Sequence, residues 1–234
     1  MVTRSHKTYG KLKPLVDNVG SSANTEEIGA KTGTESGTSI SRKPVLDLAR
    51  IAAFSALVAV GTILSNVLFG IPLPPPLSEI TVAPVFYMAI AVLFSRKVSF
   101  WSTAIGSAVG ETVNIFFFGE APAAFALTYI PGIILARAPE TLIIHKIRQS
   151  TTRLLALGMV VATVYETLTF FIIDWFVYSF TTFYCSPPCT SSGLSGGFLL
   201  ASFDFATLID VVWIPVSLVL VVAAHRAYNR AFFD

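Results

Sequence analysis

Residues 46–69 read LDLARIAAFSALVAVGTILSNVLF, and this stretch decides the fold class of the chain. Its charged side chains, Asp47 and Arg50, lie near its beginning, and the rest is uncharged and mostly apolar. A helix needs about 20 mostly apolar residues to cross the roughly 30 Å of hydrocarbon in a bilayer. The stretch therefore predicts a transmembrane helix.

The composition of the whole chain is typical of a membrane protein. Of its 234 residues, 53% are hydrophobic and 13% are charged, whereas soluble domains carry about 25% charged residues. The first 43 residues hold 11 of the 30 charges, so the remainder is poorer still in charge. These values argue against a water-soluble globular enzyme. The net charge of +2 is too small to indicate a nucleic-acid partner.

Six apolar stretches have lengths near the requirement for a membrane-spanning helix. They cover residues 46–69, 77–94, 98–118, 125–146, 154–180 and 198–224. Membrane barrels use alternating segments of about 10 residues, so runs of this length favour helices. We therefore predict an all-α integral membrane protein with six transmembrane helices.

The basic residues predict the orientation of these helices. Fifteen of the 16 Lys and Arg lie before or at the start of the first helix, after the second, after the fourth, or after the sixth. The connections after the first, third and fifth helices contain none. Because cytoplasmic loops carry the excess of Lys and Arg, both termini are predicted to be cytoplasmic.

The ends of the chain are polar. Residues 1–43 are rich in Ser, Thr, Gly and Lys and contain no apolar run long enough for a signal peptide, so they are predicted to form a disordered cytoplasmic tail. Residues 44–226 form the predicted six-helix transmembrane domain. Residues 227–234 form the predicted cytoplasmic C-terminus.

Two of the external connections have distinctive sequences. Residues 70–76 read GIPLPPP, and their prolines exclude a helix, so they predict either an ordered cap over the outer surface or a rigid spacer. Cys185 and Cys189 lie in the last external connection, where an oxidising compartment would permit a small disulfide loop. Two cysteines without a nearby histidine do not predict a metal site.

Seven charged side chains lie within the predicted helices, where each costs at least about 2.5–3.5 kcal/mol. They are Glu111, Arg137, Glu140, Glu166, Asp174, Asp204 and Asp210. One cation faces six acids, so pairing Arg137 with one acid leaves carboxyl groups that must be protonated, hydrated or matched by a ligand. In the alternative, Arg137 forms a structural pair with Glu140 and the other acids cap helix ends. Asp174 and Asp204 would then lie near the outer water.

Helix direction brings five polar residues to a similar depth, near the middle of the membrane or slightly above it. They are Glu111, Asn114, Arg137, Glu166 and Asp210. We predict that these side chains converge on one polar pocket. On the sixth helix, α-helical periodicity places Thr207, Asp210, Ile214 and Ser217 on one face. Trp213 offers a flat surface for stacking a ring, and a packing role fits it equally well.

Pairs of small residues mark close contacts between helices. The third predicted helix contains Gly106-x-x-x-Gly110, and the first contains two overlapping Ala-x-x-x-Ala pairs. Such motifs serve either packing inside the chain or docking of another subunit.

These features together resemble the substrate-binding S components of energy-coupling factor (ECF) transporters. The similarity lies in the six-helix size, the sequence LARIAAFSALVAVG at residues 48–61, the Gly106-x-x-x-Gly110 motif followed by Glu111, and the loop after the first helix. It covers residues 46–226. The resemblance implies a subunit that binds a small water-soluble vitamin or precursor near the external side. It also implies partners, namely a transmembrane coupling subunit and two ATPase subunits that drive release inward.

The resemblance assigns roles to individual residues. The family's contact with the coupling subunit corresponds here to Ala49, Ala52, Ala53 and Ala56. The family's ligand site, formed by the first external loop and helices 4 to 6, corresponds to Glu79, Arg137, Glu140, Glu166, Asp210 and Trp213. The family's metal-binding members carry a histidine after Met1, where this chain has Val2. Neither a metal nor a cofactor is therefore predicted.

Two other functions fit parts of the sequence. Residues 193–196 read GLSG, as in rhomboid intramembrane proteases, and His225 is a candidate base. Ser195 precedes the last predicted helix and His225 follows it, so about 30 residues at roughly 1.5 Å each separate them and argue against a protease. A self-contained proton- or cation-coupled carrier would explain the acids, but the two halves of the chain show no repeat.

Overall fold

The computed structural model describes residues 42–69, 81–119, 123–182 and 193–233, and the regular elements in these ranges are all helical. Several predictions lie outside the described residues. They concern the tail at 1–41, the proline-rich stretch and Glu79 at 70–80, and the two cysteines at 183–192. The all-α class is confirmed for the described part of the chain.

The described helices follow the predicted order. They are α1 (Arg42–Phe69), α2 (Ala83–Leu93), α3 (Arg96–Phe117), α4 (Ala126–Ile147), α5 (Thr152–Phe180), α6 (Gly193–Ala201) and α7 (Trp213–Phe233). A short 3-10 helix at Ala123–Phe125 leads into α4. A longer 3-10 segment at Ser202–Val212 joins α6 to α7 without a break.

Four helical stretches of the described chain are long and apolar enough to cross a membrane. They are Lys43–Leu64, Ala126–Ile147, Thr152–Phe180 and Gly193–Ala227. The chain is therefore a multi-pass membrane protein. α2 has only 11 residues, and α3 has 22 but buries mainly small and polar side chains. The count of six spans and the orientation of the termini stay predictions.

Local sequence signals set several helix ends. Pro84 lies in the first turn of α2, where its missing N–H costs no helical hydrogen bond. α2 begins only at Ala83, so residues 81 and 82 of the predicted second span are not helical. The hydroxyls of Ser95 and Thr151 each accept a hydrogen bond from the backbone N–H three residues later. These two residues are therefore the N-caps of α3 and α5.

The Gly106-x-x-x-Gly110 motif of α3 packs against α1. A Cβ added at Gly106 would lie 2.6 Å from the carbonyl oxygen of Ser55, and one at Gly110 would lie 2.6 Å from the Cβ of Thr62. Because neither glycine has a side chain, the two backbones approach closely. The motif therefore serves packing inside the chain.

The last membrane segment differs from the single α-helix predicted for residues 198–224. Its central 3-10 segment has 11 residues, although 3-10 runs usually end after about three or four. A 3-10 helix has about three residues per turn, so Asp204, Thr207 and Asp210 stand in one row, and all three are buried. In an α-helix the same spacing would turn each successive residue by about 60° around the axis. The 3-10 geometry therefore keeps all three polar side chains away from lipid.

Replacing Gly106 by alanine is expected to lower the melting temperature of the purified chain in detergent by about 2–12 °C, because overpacking costs about 1–3 kcal/mol. The added methyl group would overlap the backbone of α1 at Ser55. Val109→Leu, at an exposed position of the same helix, is the control and should shift the melting temperature by less than about 2 °C. Equal melting temperatures for the two variants, measured by tryptophan fluorescence, would contradict close packing of α1 and α3.

Candidate functional site

Arg137 of α4 is fully buried and lies at the centre of a polar cluster. Its Nε donates a hydrogen bond of 2.9 Å to Oε1 of Glu166 in α5, and its Nη1 lies 3.7 Å from Oε1 of Glu111 in α3. Its guanidinium carbon also lies 5.8 Å from the centre of the Phe170 ring, within the range of a cation–π contact. One cation therefore connects three helices.

Two further hydrogen bonds hold these carboxylates in place. The hydroxyl of Tyr87 in α2 donates to Oε2 of Glu166 at 3.0 Å. The side-chain amide of Asn114 donates to Oε2 of Glu111 at 3.4 Å. Both oxygens of Glu166 thus have a donor, one from α2 and one from α4. Tyr87 and Asn114 have no exposed surface, so the arrangement is shielded from lipid.

Glu140 and Asp210 bring two more carboxyl groups to the cluster, and both are fully buried. Glu140 interacts electrostatically with Glu166 and Tyr87, and Asp210 interacts with Glu166 and Arg137. Among the described residues, neither of these two carboxyl groups has a hydrogen bond of good geometry. The cluster therefore combines one guanidinium with an excess of acceptor oxygens, which suits a ligand with hydrogen-bond donors or a positive charge.

A proline explains how α4 is held beside α5. Pro139 has no N–H to donate to the carbonyl of Leu135, one turn earlier in the helix. The hydroxyl of Tyr165 in α5 donates to that carbonyl oxygen at 3.2 Å. This hydrogen bond between helices replaces the missing helical one, two residues before Arg137.

The structure brings together most of the side chains predicted for the site. They are Glu111, Asn114, Arg137, Glu140, Glu166 and Asp210. Trp213 is half-buried at the end of the 3-10 segment and lies beside Asp210. Glu79 lies outside the described residues. Proximity does not test ligand binding, so the binding role of all these residues stays a prediction.

Asp174 and Asp204 do not cap helix ends, because Asp174 lies inside α5 and Asp204 lies inside the helical stretch 193–233. The capping alternative is wrong for both, and their location near the outer water stays a prediction. Their side chains are buried between α5 and the 3-10 segment. Asp204 is buried because the 3-10 geometry turns it toward α5 together with Thr207, whose hydroxyl lies 2.7 Å from that of Thr167.

Sequence reasoning missed the two tyrosines of the site. In an apolar helix a tyrosine is usually part of the core, and nothing near Tyr87 in the sequence distinguishes it. A signal did exist for Tyr165, because Pro139 leaves a helical carbonyl that needs a donor from elsewhere.

The proposed protease pair is also separated in the structure. Ser195 lies in α6 and His225 in α7, near opposite ends of the continuous helical stretch 193–233. Thirty helical residues extend over roughly 45 Å. A serine and a histidine at that separation cannot share a proton, so the two residues do not form a catalytic pair.

A family model described as "ECF-type riboflavin transporter, S component" matches residues 44–190 of the chain. The matched range includes α1 to α5, with Glu111, Arg137 and Glu166, and it ends before α6. Searches of curated proteins and of solved structures find no match.

Replacing Arg137 by methionine is expected to lower the melting temperature in detergent by about 6–20 °C, because removing one partner of a buried pair costs about 3–5 kcal/mol. Glu166 and Glu111 would remain buried without their cation. Adding Glu166→Gln to this variant should recover part of the loss, since it removes one uncompensated charge.

The control for this prediction is Arg153→Met, at an exposed position near the start of α5. It should shift the melting temperature by less than about 2 °C. An Arg137→Met variant that melts at the temperature of the wild type would show that the cluster does not hold α3, α4 and α5 together.

Proposed function

Because the chain belongs to the family of ECF-type riboflavin transporter S components, we propose that it captures a small water-soluble vitamin or vitamin precursor for ATP-driven import. S components are substrate-binding membrane proteins of transporters and not enzymes. They work with a membrane coupling subunit and ATPases. For this chain we expect one transmembrane coupling subunit and two ATPase subunits as partners.

The buried cluster around Arg137 is the observation that carries this proposal. One guanidinium pairs with Glu111 and Glu166 in the interior of the bundle, and the carboxyl groups of Glu140 and Asp210 interact with Glu166 beside it. Placing an ionisable group in a membrane interior costs free energy, and a buried ion pair adds little net stability to the fold. A bundle with a purely structural role would not need this excess of acids. A ligand that supplies donors or a positive charge would compensate for it.

We propose that different residues of the site bind different groups of the ligand. The acids and Asn114 accept hydrogen bonds from the ligand, while Arg137 engages an acceptor group. Trp213 offers a ring surface beside Asp210, and Glu79 of the first external loop completes the proposed set. Riboflavin, which the family description names, is the first candidate, because its ribityl hydroxyls donate hydrogen bonds and its ring carbonyls accept them.

We further propose six membrane spans with both termini in the cytoplasm, which adds α2 and α3 to the four apolar stretches. α3 has 22 residues, a length of about 33 Å as an α-helix. Arg96 and Lys97 begin α3, directly after the α2–α3 connection, and Arg148 lies in the connection between α4 and α5. These basic residues support a cytoplasmic location for both connections. The predicted tail at 1–43 and the C-terminus at 227–234 would lie on the same side.

The two faces of α1 have different surroundings. Ser55, Val58 and Thr62 contact the glycines of α3. The alanines of the other face are all exposed, and they are Ala49, Ala52, Ala53 and Ala56. Small side chains let a partner helix approach closely. We assign this alanine face to contact with the coupling subunit.

Glu140→Gln and Asp210→Asn are each expected to weaken solute binding by about 10- to 150-fold, because a hydrogen bond to a charged group contributes about 1.5–3 kcal/mol. Riboflavin is titrated against the purified chain by quenching of tryptophan fluorescence, and mass spectrometry identifies any small molecule that co-purifies. Asp47→Asn is the control, since Asp47 is partly exposed on α1 and pairs with Arg50. A wild-type chain that binds and retains no solute, or variants that bind as the wild type does, would contradict the proposed site.

Ala53→Leu and Ala56→Leu are expected to abolish assembly with the coupling subunit while solute affinity stays within about twofold. The larger side chains would hold the partner helix away from α1. Assembly is measured by co-purification of the coupling subunit from co-expressing cells. Ala223→Leu, at an exposed position of α7, should assemble normally. Normal assembly of both α1 variants would show that the alanine face is not the docking surface.

A further inference from the structure

A second pair of buried acids lies between α5 and the 3-10 segment, apart from the Arg137 cluster. Asp174 has 2% and Asp204 0% of its surface exposed. Both carboxyl oxygens of Asp204 and Oδ2 of Asp174 lack a hydrogen-bond partner among the residues that the structure describes. Among the described residues, neither acid forms a salt bridge. Three of the four carboxyl oxygens are therefore acceptors without a donor among the described residues.

The packing of α5 against the last segment brings the two acids together. The hydroxyls of Thr167 and Thr207 lie 2.7 Å apart and join α5 to the 3-10 segment. Asp174 follows Thr167 by seven residues, about two α-helical turns, and Asp204 precedes Thr207 by three, about one 3-10 turn. The elements run antiparallel, because Trp175 donates a 2.9 Å hydrogen bond to a carbonyl near the start of α6. Both acids thus lie on the same side of the threonine bridge, and they interact electrostatically.

Aromatic side chains pack across this interface. The ring of Phe171 in α5 lies 5.4 Å from that of Phe198 in α6 and 5.2 Å from that of Phe205 in the 3-10 segment. Phe198 and Phe205 are exposed, whereas the two acids of the same interface are buried. Two buried carboxyl groups cannot both stay charged without a counter-ion, so they bind either protons or a cation.

We propose that Asp174 and Asp204 bind a hard inorganic cation such as Na⁺ or Ca²⁺. Carboxylate and hydroxyl oxygens are the ligands that these ions prefer. Tyr178 lies beside Asp174, and Thr207 lies one turn from Asp204, where its hydroxyl bonds Thr167 and the carbonyl oxygen of Asp204. The cation ties α5 to the 3-10 segment. It differs from the solute of the Arg137 cluster, where a guanidinium already supplies positive charge.

The test measures the melting temperature of the purified full chain in the chloride of Na⁺, K⁺, Mg²⁺ or Ca²⁺, at an ionic strength held constant with N-methylglucamine chloride. At about ten times the dissociation constant, the binding cation should raise the melting temperature of the wild type by about 3–6 °C. Asp174→Asn and Asp204→Asn keep the shape of the acid without its charge, and they should lose this gain. Asp47→Asn should keep it, because Asp47 is a partly exposed carboxylate of α1.

A second measurement uses the unmodified chain, so it does not depend on the folding of the variants. Dicyclohexylcarbodiimide modifies buried carboxyl groups of membrane proteins, and peptide mass spectrometry should show that the same cation protects Asp204. The proposal is overturned if no cation stabilises the wild type or protects Asp204, or if the asparagine variants gain as much as the wild type. Neither measurement requires solute, so failure here is distinct from failure of the proposed import function.

Discussion

The ion pair between Arg137 and Glu166 is the constraint on which the arrangement of the helices depends. Lipid provides no hydrophobic force between helices, so polar contacts and close packing decide which faces meet. A guanidinium on α4 has to find its partners on neighbouring helices, and the structure provides them on α3 and α5. Tyr87 then adds α2 through the second oxygen of Glu166. The charged centre therefore determines the neighbours of α4.

Backbone geometry extends this polar interior beyond the charged centre. The 3-10 segment aligns Asp204, Thr207 and Asp210 in one row along α5. Asp210 lies at the Arg137 cluster, Thr207 bonds Thr167, and Asp204 lies one turn further along. A continuous line of buried polar groups thus connects the two acidic regions. A regular α-helix would turn part of this row toward lipid, so the length of the 3-10 run allows all three side chains to be buried on one side.

The sequence alone predicts the all-α membrane class and the membership of the polar cluster, for a clear physical reason. Exposing a charged side chain to lipid costs so much free energy that charges within long apolar runs are expected to face one another. Glu111, Arg137 and Glu166 do so. The 3-10 segment was not predicted, because hydropathy does not distinguish about three from 3.6 residues per turn in a helix that is apolar on most sides. The spacing Asp204-x-x-Thr207-x-x-Asp210 does have a period of three residues, which is that of a 3-10 helix. The role of Tyr87 had no sequence signal, since its partner lies 79 residues away in the chain.

The distribution of small residues on α1 and α3 follows from the same absence of a hydrophobic force between helices. Gly106 and Gly110 bring α3 against one face of α1, where any side chain at these positions would meet Ser55 or Thr62. The alanines on the other face of α1 remain exposed in the isolated chain. Acyl chains make few dispersion contacts with a face of small side chains. A second helix can pack closely along the whole of such a face and makes more of these contacts. One helix therefore provides a contact within the bundle and a separate exposed face, which we propose as the contact with the coupling subunit.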